Sequence, residues 1–248
     1  MLSWENTTFE IAESGVDLAI LPVGAIEQHS HHLPIGTDWL SVQAVARLAA
    51  ERLDALLLPA QPYGNSQEHQ GFAGTIWLKP DTLARVVRDI IDSLVHHGIR
   101  RVVIVNGHGG NWILKPTVRE INLTRDDVLV LWAGPEVLCR GCAEVPELHC
   151  GKGETSRQMY LNPDLVKLDR AVDVTVSFTS EMLDYVGVSG VSPQGVWGQP
   201  TGADAALGKE LLERAADNIV AYVRETLAAV EAIRQRGDHR RSPTQRDD

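Results

Sequence analysis

Three cysteines in 248 residues are too few, and odd in number, for a disulfide-stapled fold. A reducing, cytoplasmic setting is therefore the expectation. No uninterrupted apolar run reaches the ~18 residues that a membrane span requires. The first residues, Met1-Leu2-Ser3-Trp4-Glu5-Asn6, lack the basic and apolar regions of a secretory leader. A surplus of basic charge is missing as well. The formal net charge of -10 argues against nucleic acid or an anionic membrane as a partner. No internal repeat occurs, and no linker rich in Pro, Gly or Ser divides the chain. With 44% hydrophobic and 23% charged residues, what remains is an ordinary globular composition, long enough for one large domain or two small ones.

Strand and helix patterns alternate along the chain. Leu18–Val23 is an apolar run ending at Gly24, and Ala55–Pro59 and Arg101–Val105 read as further strands, followed by Val128–Trp132. Between them, apolar steps from Leu40 to Leu53 and from Leu83 to Leu94 predict helices. Pro80 suits a first helical turn and Gly98 a stop. Such alternation predicts a mostly parallel sheet covered on both faces, a three-layer α/β/α domain over residues 1–235. Residues 61–79 are irregular and polar, a length of loop usually retained for function. Residues 187–202 read as loop, 204–234 as a closing amphipathic helix, and 236–248 as a polar, mobile tail.

Chemistry concentrates in two stretches. Glu27-Gln28-His29-Ser30-His31-His32-Leu33-Pro34-Ile35-Gly36-Thr37-Asp38 offers two carboxylates and three imidazoles, the donor mixture that zinc-like or harder divalent metals take. A merely solvated loop needs no such density. Asn106-Gly107-His108-Gly109-Gly110-Asn111 follows the clearest strand. Its glycines could cradle phosphate, but neither G-x-G-x-x-G nor a Walker lysine accompanies them. A ligand role for His108 is preferred. Both stretches fall at carboxyl ends of strands, where open parallel sheets bind ligands. A competing site is Cys139-Arg140-Gly141-Cys142 with His149-Cys150, either a Cys₃His zinc knot or, the preferred reading, three reduced thiols.

These motifs, together with Leu21–Ile26, Tyr63-Gly64-Asn65-Ser66-Gln67-Glu68-His69, Glu154-Thr155-Ser156 and Gly195–Pro200, resemble the successive motifs of the creatininase (creatinine amidohydrolase) family, in order from about residue 16 to 230. The resemblance implies a homohexameric hydrolase of C–N bonds in cyclic or small amides. It implies two divalent ions per subunit (zinc, manganese or iron) and hydrolysis by water activated between them. Carried over by residue, it places Glu27 and His108 on one metal and His29 on the other, with Asp38 bridging. Creatininase proper offers a further carboxylate where this chain has Gly110, and Glu154 is the substitute expected here. His149 matches the family's proton-donating histidine. Ser66, Glu68 and His69 are expected to line the substrate pocket, with Trp132 as an aromatic wall; for Glu68 and His69 a surface loop is the alternative. Ser30-His31 stands where Gly-Pro is usual, so His31 is either an extra imidazole at the mouth or an exposed loop histidine. The expected function is hydrolysis of a small cyclic amide or formamide. The alternatives are a peptidase trimming a modified peptide in cofactor maturation and a non-catalytic metal-binding protein.

Overall fold

The structure, a computed structural model, describes residues 1–141 and 147–239. In chain order the elements are β1 (Leu2–Ser3), α1 (Thr8–Ser14), β2 (Leu18–Val23), α2 (Thr37–Leu53), β3 (Leu56–Leu57), α3 (Pro80–His96), β4 (Arg101–Asn106), α4 (Leu114–Thr124), β5 (Leu129–Ala133), α5 (Pro135–Leu138), α6 (Lys152–Leu161), α7 (Leu183–Val191) and α8 (Ala205–His239). Among the described residues the sheet has five strands in the order β1-β3-β2-β4-β5, and every pairing is parallel.

The central strands β2 and β4 bury both faces, and side-chain alternation sorts their residues into two cores. Ile20, Val103 and Val105 point toward α2 and α8, packing with Val42, Ala46 and Ile219. Leu21, Val102 and Ile104 point the other way, against Leu83, Val87 and Ile91 of α3 and Val118 of α4. Each fully buried Val, Leu or Ile contributes roughly 1.5–3 kcal/mol. The three-layer α/β architecture expected from the alternation is the observed one.

Departures sit at the periphery. Helix α1 buries no side chain; it is held by a capping box, Thr7 with Glu10, so no apolar stripe announces it. Helix α7 runs into the stretch expected as loop, kinked at Gly187 (φ 65°) and ending at Val191. Helix α8 continues to His239, past the expected start of the tail, and residues 240–248 lie outside the described residues. Among the described residues, no helix is long and apolar enough to cross a membrane.

Candidate metal centre

The ends of β2 and β4 lie side by side, Val23 opposite Asn106, and each feeds one motif loop. Two glycines let the start of α2 descend onto both. A Cβ on Gly24 would lie 2.6 Å from Trp39 Cα, and one on Gly107 would lie 2.6 Å from Val42 Cβ. Asp38, in the first turn of α2, is thereby inserted between the loops, where the positive end of the helix favours a carboxylate. Glu154 occupies the corresponding first turn of α6, and its Oε2 accepts the Cys150 N–H at 2.6 Å.

The side chains converge. Asp38 Oδ1 lies 3.4 Å from His29 Nε2, and Asp38 Oδ2 lies 3.1 Å from His108 Nδ1. Glu27 Oε2 is 3.1 Å and Glu68 Oε1 3.2 Å from His108 Nε2. His29 Nε2 stands 3.7 Å from Glu154 Oε2. His69 Nε2 and His149 Nδ1 approach Glu27 Oε1 at 3.4 and 3.6 Å. Sets of ligand atoms within 4.8 Å of one another include Glu27, His29 and Asp38; Glu27, Glu68 and His108; and His29, His149, Cys150 and Glu154.

So much buried carboxylate in one place is electrostatically unbalanced. Burial, reinforced by Asp38 and Glu68, raises the Glu27 carboxyl to about 8. Burial likewise raises Glu154. For His29 burial works downward, yet the Asp38 carboxylate overcomes it and lifts the imidazole to about 9. His108 is raised well above its ordinary value in the same way, by Glu27 against burial. Burial opposes ionisation of Glu68, but His108 holds that carboxyl below its usual range. Burial, then His29 and His69, push His149 well down. Protons thus gather on His29 and His108 to supply the positive charge that the carboxylates demand.

Glu27 Oε1, Glu27 Oε2 and His29 Nε2 are buried without a hydrogen-bond partner, although buried polar atoms are normally satisfied. Orphaned oxygen and nitrogen atoms turned into one space fit a divalent cation.

Gln28 organises the back of the centre. Its Nε2 lies 3.0 Å from His69 Nδ1 and 3.2 Å from the Gly195 carbonyl oxygen, while His149 Nε2 lies 2.9 Å from the Gln28 carbonyl oxygen. His149 Nε2 also lies 2.9 Å from Gln28 Nε2, so it either donates to Gln28 O or accepts from the Gln28 amide, and the tautomer follows from which bond forms.

A cavity of about 600 Å³ opens over the centre, bordered by Glu68, His69, His108, His149 and Glu154. The structure brings Glu27, His29, Asp38, His108, His149, Glu154, Glu68 and His69 together. Ser66 is buried nearby, its Oγ 3.5 Å from His108 Nε2. Trp132 stands apart: it does not border the cavity, and its Nε1 donates to Glu136 at 3.1 Å. The aromatic walls are instead Trp112 and Trp197. His31 is exposed and borders no part of the cavity. Cys142 of the C-x-x-C pair lies outside the described residues; Cys139 is exposed, whereas Cys150 is buried against the centre. From sequence, Cys150 enters only as part of a cysteine knot with Cys139 and Cys142, and Gln28, Trp112 and Trp197 have no role. Gln28 and Cys150 carried a signal in their adjacency to motif histidines, and Trp197 in its place within the Gly195–Pro200 motif.

An open parallel sheet with buried carboxylates and imidazoles beyond its strand ends defines an α/β protein with groups at the sheet crest that could hold a metal ion. Residues 3–223 match the family profile described as "Creatininase: Creatinine amidohydrolase", and the chain belongs to this family of hydrolases. It is 33% identical over 217 residues to a mycofactocin precursor peptide peptidase of Mycobacterium ulcerans, covering 82% of this chain and 83% of that one. It is 35% identical over 198 residues to a creatinine amidohydrolase of Pseudomonas putida, covering 69% and 74%. A solved mutant creatininase described as Zn-Zn type superposes with a TM-score of 0.76 at 30% identity, covering 90% of this chain and 97% of that one.

Proposed function

We propose that the protein is a dinuclear-metal amidohydrolase that cleaves a C–N bond of a small cyclic amide or formamide. The observation that carries this reading is the Asp38 carboxylate, which presents one oxygen to His29 and the other to His108 amid orphaned Glu27 and His29 atoms. Glu27 and His108 would hold one ion, His29 and Glu154 the other, with Asp38 between them. Zinc, manganese or iron suits this donor set. Bound there, such ions supply Lewis acidity and lower the pKa of water toward neutrality.

The protein's own groups then manage the proton. His149, whose imidazole burial holds neutral, is placed to accept a proton from the attacking water and deliver it to the leaving nitrogen. Without that proton the leaving group would be an amide anion. Leu148, Trp112 and Trp197 wall the cavity with apolar surface that limits water at the reacting carbonyl.

A second reading, a peptidase, rests on similarity along about four fifths of the chain. Relatives at 33–35% identity are peptide peptidases. Assembly as a hexamer in the cytoplasm completes the proposal, and light scattering well above the 27.2 kDa of one chain checks it. The deciding experiment is a screen of chelator-stripped and zinc- or manganese-reloaded protein against cyclic amides, formamides and short peptides. Hydrolysis that survives stripping undiminished would end the metal reading.

A further inference from the structure

Cys150 stands out among the groups that the proposed reaction leaves unused. It is wholly buried, with 0% of its surface exposed, and it sits between His149 and Gly151 with φ 56°, a region that non-glycine residues seldom enter. That turn brings its sulfur into the cluster where the ligand atoms of His29, His149, Cys150 and Glu154 all lie within 4.8 Å of one another. The same cluster contains His29 Nε2, fully buried and without a hydrogen-bond partner. His29 Nε2 and Glu154 Oε2 are 3.7 Å apart. Tetrahedral zinc, with bonds of about 2.0–2.3 Å, separates its ligand atoms by roughly 3.3–3.8 Å, so this pair is already spaced to share an ion.

We propose that Cys150 is a thiolate ligand of the metal held by His29 and Glu154, which makes that half of the centre a sulfur-containing, zinc-selective site. The inference rests on the metal-centre reading and deepens it. Metal binding replaces the thiol proton: the sulfur–hydrogen bond breaks, a sulfur–metal bond forms, and one proton leaves to solvent. A soft thiolate beside one imidazole and carboxylates favours zinc over manganese, whereas the Glu27–His108 half offers no sulfur and discriminates less. His149 is left to its proton relay.

Cobalt(II) reports the sulfur directly, because a thiolate bound to cobalt gives an intense near-ultraviolet charge-transfer band that oxygen and nitrogen ligands lack. Stripped wild-type protein titrated with cobalt should develop this band, and the Cys139→Ser/Cys142→Ser variant should retain it. Cys150→Ser, close in size, and Cys150→Ala should both lose it while still binding cobalt. X-ray absorption of the zinc-loaded wild type, which involves no variant, should show one sulfur at about 2.3 Å. Losing the thiolate should weaken zinc by about tenfold or more and leave manganese little changed. Cobalt binding without the band, or a band that persists without Cys150, overturns the thiolate assignment alone. A wild type that binds no cobalt overturns the metal centre and the thiolate together.

Discussion

The Glu68 carboxylate stands where a side chain on Gly110 would begin. A Cβ at position 110 would lie 2.0 Å from Glu68 Oε1, 2.3 Å from His108 Nε2 and 2.4 Å from the Asn65 carbonyl oxygen. The two positions therefore share one volume: the absence of a side chain at 110 admits the carboxylate from 68, 3.2 Å from His108 Nε2.

Gly110→Ala should accordingly disturb His108 and Glu68 together. Overpacking of this kind costs about 1–3 kcal/mol. For a chain of this size each kcal/mol lowers Tm by roughly 2–4 °C. Calorimetry of the stripped protein should show that drop, and the loaded variant should hold less metal. An alanine variant with unchanged melting and metal content would mean that Glu68 moves aside freely.

Asp38→Ala should abolish hydrolysis and lower bound metal from two ions to one or none per subunit. Its carboxylate is the group that faces both His29 and His108. Elemental analysis after gel filtration makes the measurement, and two retained ions would contradict the bridging role.

His149→Asn should cut turnover by about 10²–10⁴-fold, the usual worth of a positioned proton carrier. The loss should shrink for substrates whose leaving nitrogen needs no proton. Metal content should stay at the wild-type level. An equal loss across leaving groups would place His149 outside the proton path.

His32 gives the stripped protein an acid sensitivity. It is buried beside Thr155, with its Nε2 3.1 Å from Thr155 Oγ1, and burial, then His29 and His31, lower it from 6.5 to about 4. A folded value below the unfolded one means that the native state binds fewer protons between pH 6.5 and 4. The stabilisation is complete above pH 6.5 and is lost as the pH falls toward 4. Melting followed over this range should fall less steeply in His32→Gln than in the wild type. Parallel curves would assign the sensitivity to other groups.

Creatinine should be a poor substrate. A shared hydrolytic centre does not fix the pocket, and polar groups left unpaired by an analogue can cost about four orders of magnitude in selectivity. Here Gly110 stands where the family resemblance expects a carboxylate, and Glu68 occupies that volume instead. Steady-state kinetics with zinc- and manganese-loaded enzyme should give kcat/KM well below roughly 10⁴ M⁻¹s⁻¹, the lower end of the ordinary enzyme range. Turnover above that value would restore creatinine as the substrate.

Local patterns in the sequence determined much of this protein. Apolar runs gave the central strands, because β2 and β4 are buried on both faces and have no polar alternation to confuse the reading. Histidines and carboxylates just beyond those strands marked the centre, because a parallel sheet brings its strand ends to one edge. Tertiary structure decided what depends on distance across the chain. That Trp132 turns toward Glu136 while Trp112 and Trp197 wall the cavity follows from how helices and loops dock, not from proximity in sequence. Cys150, just before α6, meets His29 from a distant part of the sequence because α6 packs beside α2 and α8. Glu68 can fill the space above Gly110 only because a loop from before α3 folds over the end of β4. A missing side chain tells a reader of the sequence that there is room, but only packing decides what enters it.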